Sequence, residues 1–301
     1  METRYDAVIY GTLALDLMWR MEKLPALGTY ETILEERRMI GGEAANTAIA
    51  LSKWGANIAL LGTVCGHDED AQFLKSRFAI DAPTLDISHL RFLPGVRTPF
   101  CVCVATPDGN RTMMGIGFEA MQTPILTKAL AKSGHFFTAD PNAWADGKAA
   151  MLAAKKYGMR VVAMDYTEDE AVNRASEISL TSHAHIGANL SAKEYGDYAK
   201  RIRDDFGTTA IVTWGEKGCF YAERNKSGDA IHFPAYIAPK VVDTTGAGDV
   251  FRAGILFGQI REWDLAKSVR FAAAAAALNC TELGAWAGVV SLEETLSYSR
   301  R

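Results

Sequence analysis

The chain has 301 residues, 49% of them hydrophobic, with 32 Lys and Arg against 36 Asp and Glu and a formal net charge of −4 at pH 7. That length and apolar content suffice for a large core, as one α/β domain with a small appendage or as two domains, and a mild negative charge without a basic run argues against a polyanion-binding surface as the main function. Five cysteines, odd in number and without a Cys-x-x-Cys pair, argue against a disulfide framework or a zinc ribbon and point to the reducing cytosol.

Met1 to Asp6 carries charges of both signs, and the apolar Ala7 to Tyr10 is too short for the core of a signal peptide, so a cytoplasmic protein is expected. Asp6 to Gly11 reads as a first buried strand whose C-terminal end opens into a site. Asp16 follows in an apolar setting. A buried carboxylate needs partners, and either a polyol or backbone N–H groups can supply them. From Trp19 to Met39 the residues are mixed polar and β-prone, with Pro25 and Gly28, and no helical period survives; we read the start of a lid. Gly41-Gly42 then leads into a helix through Trp54 that stops at Gly55. The paired glycines permit close backbone approach to a ligand. Asn46 offers a donor and an acceptor, or serves as a cap.

Asn57 to Val64 is a further apolar strand and Glu69 to Phe78 an amphipathic helix. Pro99 to Thr106 and Arg111 to Ile116 form a hairpin around Asp108-Gly109, which completes the β lid beside Trp19 to Met39. The lid as a whole is expected over about 17–39 and 97–116. Its β edges could pair with a second copy, giving a homodimer through the lid. His135 to Thr138, Arg160 to Met164, His183 to Gly187 and Thr209 to Thr213 read as short strands, separated by helices such as Lys148 to Tyr157 and Lys193 to Phe206. Such β-α alternation implies a parallel sheet covered on both faces, with ligands at the carboxyl ends of its strands. His183 and His185, without a third ligand nearby, read as ordinary strand histidines. The Ala-rich helix Leu265 to Asn279 is short and flanked by charge, hence buried and not membrane-spanning.

Asp243-Thr-Thr-Gly-Ala-Gly-Asp249 organises the rest. The β-branched run ending at Val241-Val242 reads as a strand and Val250 to Ile260 has helical apolar spacing, so Gly246 and Gly248 fall at a strand-to-helix turn. Free N–H groups at a helix start attract phosphate. Asp249 then sits beside the bound anion, where it can take a proton from an incoming hydroxyl, or is merely a carboxylate favoured by the helix dipole.

This segment resembles the C-terminal signature of the ribokinase-like (PfkB) carbohydrate kinase family, and Gly41-Gly42-Glu43-Ala44-Ala45-Asn46 resembles its N-terminal signature. The resemblance spans Gly11 to Gly284. It implies a three-layer α/β/α sandwich with a mostly parallel central sheet and a small β-sheet lid, in a single kinase domain over 1–301. It also implies ATP and Mg2+, with Asp249 as general base, the Gly246, Ala247 and Gly248 amides as anion hole, and Asp16, Gly41, Gly42 and Asn46 around a monosaccharide. Thr213, Gly215 and Gly218 in the turn Thr213-Trp-Gly-Glu-Lys-Gly218, with Asn189 and Asn279, carry over as nucleotide contacts. Asp243 and Thr245, with nearby carbonyls, resemble the family's monovalent-cation site for K+.

Two departures stand out. The family's Asn-x-x-Glu element is displaced here, Asn189 being followed three residues on by Ala192, with Glu194 the nearest acid. Arg252 stands where many relatives have a smaller residue, on the helical face of Asp249; it is expected either to touch phosphate or an acidic substrate or to point to solvent, and we favour solvent. No Gly-x-x-x-x-Gly-Lys-[Ser/Thr] segment occurs, which excludes a P-loop kinase, and a Rossmann dehydrogenase would need glycine where Phe251 stands. The expected activity is ATP-dependent phosphorylation of a sugar hydroxyl. The rivals are a nucleoside kinase of the same fold and a non-catalytic sugar or nucleotide sensor.

Overall fold

A computed structural model describes residues 4–166, 169–186 and 190–301, the side chain of Trp144 excepted. In chain order the elements are β1 (Tyr5–Gly11), β2 (Ala14–Arg20), β3 (Glu35–Gly41), α1 (Glu43–Lys53), β4 (Ile58–Gly62), α2 (Glu69–Asp81), β5 (Phe100–Ala105), β6 (Arg111–Ile116), α3 (Lys128–Ala131), β7 (Gly134–Ala139) and α4 (Trp144–Lys156). They continue with β8 (Arg160–Met164), α5 (Glu170–Ala175), β9 (Ser176–Thr181), α6 (His183–Ile186), α7 (Ala192–Phe206), β10 (Thr209–Thr213), β11 (Cys219–Ala222), β12 (Ile231–Phe233), α8 (Ala247–Ile260), α9 (Leu265–Asn279) and α10 (Leu292–Tyr298).

The main sheet has the order β12-β11-β10-β9-β8-β7-β1-β4. It is parallel from β4 to β10 and antiparallel only at the β10-β11 and β11-β12 pairs. A parallel sheet must be covered on both faces, which is why its strands read as continuous apolar runs. In β1, Ala7 and Ile9 join one core, with α1, α8 and α9, whereas Val8 and Tyr10 join another, with α4 and Phe137. The result is a three-layer α/β/α sandwich. On the first face α8 and α9 approach unusually closely: a Cβ at Gly254 would lie 2.5 Å from the Ala272 Cα, and one at Gly258 only 2.2 Å from the Ser268 Oγ. Glycine in one helix and alanine in the other therefore set the position of α8, whose N-terminus belongs to the candidate site.

A second, four-stranded sheet has the order β3-β2-β5-β6, with β2 and β5 parallel and the outer pairs antiparallel. These are the segments expected to form the lid, although the sheet begins at Ala14, a few residues before the expected boundary, and β3 runs on to Gly41. Strand β6 is exposed along its whole length, and Leu27, Tyr30, Met113, Met114 and Ile116 are among the exposed large apolar residues.

Two expected strands are not formed. His183–Ile186 is a short helix, and the strand that pairs β8 with β10 is Ser176–Thr181. Its serines hid it: Ser179 donates to Asn173 Oδ1 at 2.7 Å and Ser176 to the Val172 carbonyl at 2.7 Å, so polar side chains are buried at no hydrogen-bond cost. Val241-Val242 has irregular backbone and lacks a strand partner. The Val242 N–H bonds the Cys280 carbonyl at 2.8 Å, tying the segment to the loop after α9, and Val241 is half exposed. Asn189 lies outside the described residues. Among the described residues no helix is long and apolar enough to cross a membrane.

Candidate active site

The carboxyl ends of β1 and β7 and the N-termini of α1 and α8 converge, with Asn46 bonded to Asp249 and Arg252 reaching the Glu43 and Ala139 carbonyls. Gly246 precedes α8 with φ 72°, and a Cβ there would lie 2.0 Å from the Ala285 carbonyl oxygen, so the turn demands glycine on two counts. Gly248 is different. Its nearest neighbour on a hypothetical Cβ is the Met164 methyl at 3.4 Å, an ordinary contact. Glycine in a helix costs about 1 kcal/mol relative to alanine, and nothing in the packing of the chain requires it here. The space it leaves lies at the positive end of α8, where the first-turn N–H groups lack intrahelical acceptors, and this fits a phosphate.

Asp249, in the first turn of α8, is 6% exposed. One carboxylate oxygen accepts from Asn46 Nδ2 at 2.8 Å and the other faces Arg252 Nη2 at 3.4 Å. Burial pushes its pKa up to about 6; Arg252 and the Asn46 amide pull it down, Asp140 pushes up, and Arg111 pulls down. A carboxylate titrating near 6 is ionised at neutral pH yet basic enough to accept a proton in flight. Asn46 lies inside α1 and not at its cap, and its Oδ1 is buried with no hydrogen-bond partner among the described residues. That leaves an acceptor for a ligand's hydroxyl.

The expectation that Arg252 points to solvent is wrong. It is fully buried, and its guanidinium reaches Thr47 Oγ1 at 2.8 Å, the Glu43 carbonyl at 2.9 Å and the Ala139 carbonyl at 3.5 Å, besides Asp249. Spacing of i, i+3 placed it on the face of Asp249; sequence gave no sign that this face is interior. Around it stand Asp140, which accepts the Asn142 and Ala143 N–H groups at 3.0 and 3.2 Å, and Glu43, which accepts from Asn142 Nδ2 at 2.9 Å. Burial, with Asp249 and Asp140 nearby, pushes Glu43 up to about 8. Arg252 pulls the pKa values of all three carboxylates down, and burial with their mutual repulsion pushes Glu43 up furthest against it. Asp140 carries no sequence signal beyond its polarity beside an apolar run, and Glu43, although inside the Gly41 to Asn46 segment, is not singled out there.

Asp16, on β2, is 5% exposed, and no hydrogen bond from a described residue reaches its carboxylate, so backbone satisfaction is set aside. Burial, then Cys101, Asp249 and Asp243, push its pKa well above the usual carboxylate range. A Cβ on Gly41 would lie 1.9 Å from the Asp16 Cγ, and one on Gly42, at φ 91°, 2.4 Å from the Thr12 carbonyl oxygen. The two glycines therefore make room for Asp16 and bring α1 against β1. A buried carboxylate without a hydrogen-bond donor, near enough to Asp249 to feel its charge, is what hydroxyl donors would satisfy.

Thr213 ends β10, and Gly215 and Gly218 follow at φ 57° and 100°. At Gly218 a Cβ would lie 2.0 Å from the Phe233 carbonyl oxygen, so the β11-β12 pairing alone accounts for that glycine. Met164, under Gly248, ends β8, two strands and roughly 10 Å from β10. Asn279 is fully buried; its amide donates to the Thr245 and Ala285 carbonyls at 3.3 and 3.0 Å. Asp243 accepts from the Thr245 N–H and Oγ1 at 2.8 and 2.6 Å through one oxygen and from the Gly284 N–H at 2.9 Å through the other. Asp243, Thr245 and Asn279 thus staple the glycine turn to the 280–288 loop. Asp243 Oδ2 accepts a single hydrogen bond, which leaves it a lone pair that fits a cation such as K+, and no step is derived through that ion. Glu194 caps its own helix, reaching back to the Ser191 N–H and Oγ. The hairpin tip of the small sheet closes over this turn: Thr244 Oγ1 donates to the Gly109 carbonyl at 2.7 Å, and Arg111 Nη1 lies 3.3 Å from Thr244 Oγ1.

The family described as pfkB family carbohydrate kinase matches residues 6–291. A nucleoside kinase of Methanocaldococcus jannaschii is 30% identical over 304 residues, covering 93% of this chain and 94% of its own. A ribokinase of Haemophilus influenzae is 26% identical over 86% of each chain. The structure of an Arabidopsis thaliana ribokinase complexed with ribose and ATP superposes with a TM-score of 0.81 at 19% identity over 100% of both chains, a likeness of fold.

Proposed function

The chain belongs to the pfkB family of carbohydrate kinases, phosphotransferases with a hydroxyl acceptor, and we propose that it moves the γ-phosphate of MgATP to a hydroxyl of a monosaccharide such as ribose or a ketose, in one kinase domain spanning 1–301. In this reading Asp249 takes the proton from the acceptor hydroxyl, whose oxygen attacks the γ-phosphorus as ADP leaves. The Gly246 and Gly248 amides face the charge that develops on the transferring group, joined by the Ala247 N–H once it gives up its long 3.3 Å bond to the Thr244 carbonyl, and Mg2+ would enter with the nucleotide and neutralise its phosphates. Thr213, Gly215 and Gly218 border the nucleotide. Asn189 is kept as a further contact on resemblance alone. Asn279 acts indirectly, by holding the turn.

The observation that carries the reading is the pairing of a buried carboxylate with a helix N-terminus whose second glycine nothing in the protein fills. Asn46 and Arg252 hold the Asp249 carboxylate from one side, which leaves its other side for the acceptor. Asp16 and the free Asn46 Oδ1 supply hydroxyl-binding groups next to it. A second reading, a nucleoside as acceptor, is favoured by the 30% identity to the Methanocaldococcus nucleoside kinase, and it uses the same residues on a ribose hydroxyl. ATP consumption measured over a panel of pentoses, ketoses and nucleosides separates the two. Turnover with none of them would overturn both.

Asp16→Asn tests the acceptor side. Acceptor hydroxyls that donate to Asp16 favour its ionised form against burial, and each lost hydrogen bond to a charged group is worth roughly 1.5 to 3 kcal/mol, so kcat/KM for the acceptor should fall at least about tenfold while the KM for ATP stays put. Unchanged acceptor kinetics would remove Asp16 from the site.

We further propose that the β2-β3-β5-β6 sheet works as a lid that excludes water from the transfer. Acceptor should then slow amide exchange in 14–41 and 100–116, and equal exchange with and without it would contradict a lid. The exposed apolar residues of that sheet, Met113, Met114 and Ile116 with Leu27 and Tyr30, support a homodimer through the lid, which light scattering on the purified protein would detect.

A further inference from the structure

Beside Asp16, on the inner face of the small sheet, lie two cysteine sulfurs that phosphoryl transfer does not use. The register of the small sheet sets Asp16 opposite Cys101, and Cys103, two residues along β5, points to the same face. The Cys101 and Cys103 sulfurs are 3.5 Å apart, and a carboxylate oxygen of Asp16 completes a triangle in which no two of the three atoms are more than 4.8 Å apart. Cys103 and Asp16 are 1% and 5% exposed, and Cys101 is half buried at the mouth of the group.

Two outcomes are open to such a thiol pair, and geometry decides between them. A disulfide between residues two apart in a strand must span about 6.6 to 6.8 Å between Cα atoms, the outer limit of what the bond tolerates. A zinc ion fits better. With Zn–S bonds of about 2.3 Å, two sulfurs of a tetrahedral site lie about 3.8 Å apart, close to what β5 already provides, and a carboxylate oxygen joins at about 2.0 to 2.2 Å after a small side-chain rotation.

We propose that Asp16, Cys101 and Cys103 form a binding site for Zn2+, with the fourth position open to water, on the inner face of the lid sheet. Because Asp16 is shared, an ion held there takes the carboxylate away from the acceptor, so Zn2+ inhibits in competition with acceptor and not with ATP. That consequence rests on the acceptor role given to Asp16; the binding itself does not.

The test uses the reduced, metal-stripped full chain, titrated with Zn2+ against a chromogenic chelator. One ion per chain is expected. Loss of a direct ligand should weaken binding by more than about tenfold in Cys101→Ser and Cys103→Ala, since even groups that only orient a ligand are worth that much, while Cys280→Ala binds as the parent does. Co2+ in place of Zn2+ should show a sulfur-to-metal charge-transfer band that the same two variants lose. Cys101→Ser, at the less buried of the two positions, guards against a variant that merely fails to fold. Equal Zn2+ affinity in parent and variants, or cobalt binding without the band, would overturn the site. A zinc-loaded protein with an unchanged acceptor KM would overturn the competition and the acceptor role of Asp16 together, whereas loss of acceptor binding in Asp16→Asn without any zinc binding would sink the metal site and spare the kinase reading.

Discussion

Asp249→Asn lowers kcat by about 10² to 10⁴-fold, the range of a positioned general base, while ATP and acceptor still bind. Asparagine keeps the size, the place in α8 and an oxygen for Asn46 Nδ2, but it cannot take a proton. The amides of the glycine turn belong to the backbone and stay where they are. Were Asp249 only a carboxylate enjoying the helix dipole, the same change would cost less than about 1 kcal/mol of stability and leave turnover alone. Measured kcat, acceptor affinity and Tm on one variant separate these cases, and near-normal turnover in a folded protein would refute the base.

Arg252→Met has the second largest effect, and it is felt in two observables. Taking one partner from a buried charged pair typically costs about 3 to 5 kcal/mol, because the carboxylates it faced remain buried without a counter-charge. Arg252 has no exposed surface through which water could replace it. Tm should therefore drop markedly. Arg252 also lowers the pKa of Asp249, so its loss raises that pKa, and the acid limb of kcat/KM moves to higher pH. The sign follows from the chemistry: the base works only when ionised, hence activity falls as pH drops through the Asp249 pKa, and a higher pKa means the fall begins earlier. Arg252→Lys, which keeps the charge but not the planar fork, should restore part of the shift. A variant with lowered Tm and an unmoved limb would make Arg252 structural only.

Much of this was legible in sequence, and what was not has physical causes. The glycine turn, Asp249 and the extent of α9 could be read because glycine and helical apolar spacing report directly on local backbone. The small sheet was readable from its Asp-Gly turn and β-prone segments. Arg252 was misread because a charged residue at i+3 from an acid looks the same whether that face meets water or β7; only the packing of α8 onto α1 and α9 decides it. Strand β9 was missed because its serines bond to Val172 and Asn173, partners that local pattern does not reveal. The Cys101, Cys103 and Asp16 cluster was invisible for a related reason: Asp16 and Cys101 are 85 positions apart (101 minus 16) and meet only through strand register.

The most direct test of the central claim is the rate of γ-phosphate transfer, at saturating ATP and acceptor, followed across pH for the parent and for Asp249→Asn. The parent should lose activity below a pH of about 6, where the Asp249 carboxylate takes up its proton, and the variant should run about 10² to 10⁴-fold slower with that limb gone. A variant that transfers phosphate at the parental rate, or that keeps the same acid limb, would show that another group takes the proton.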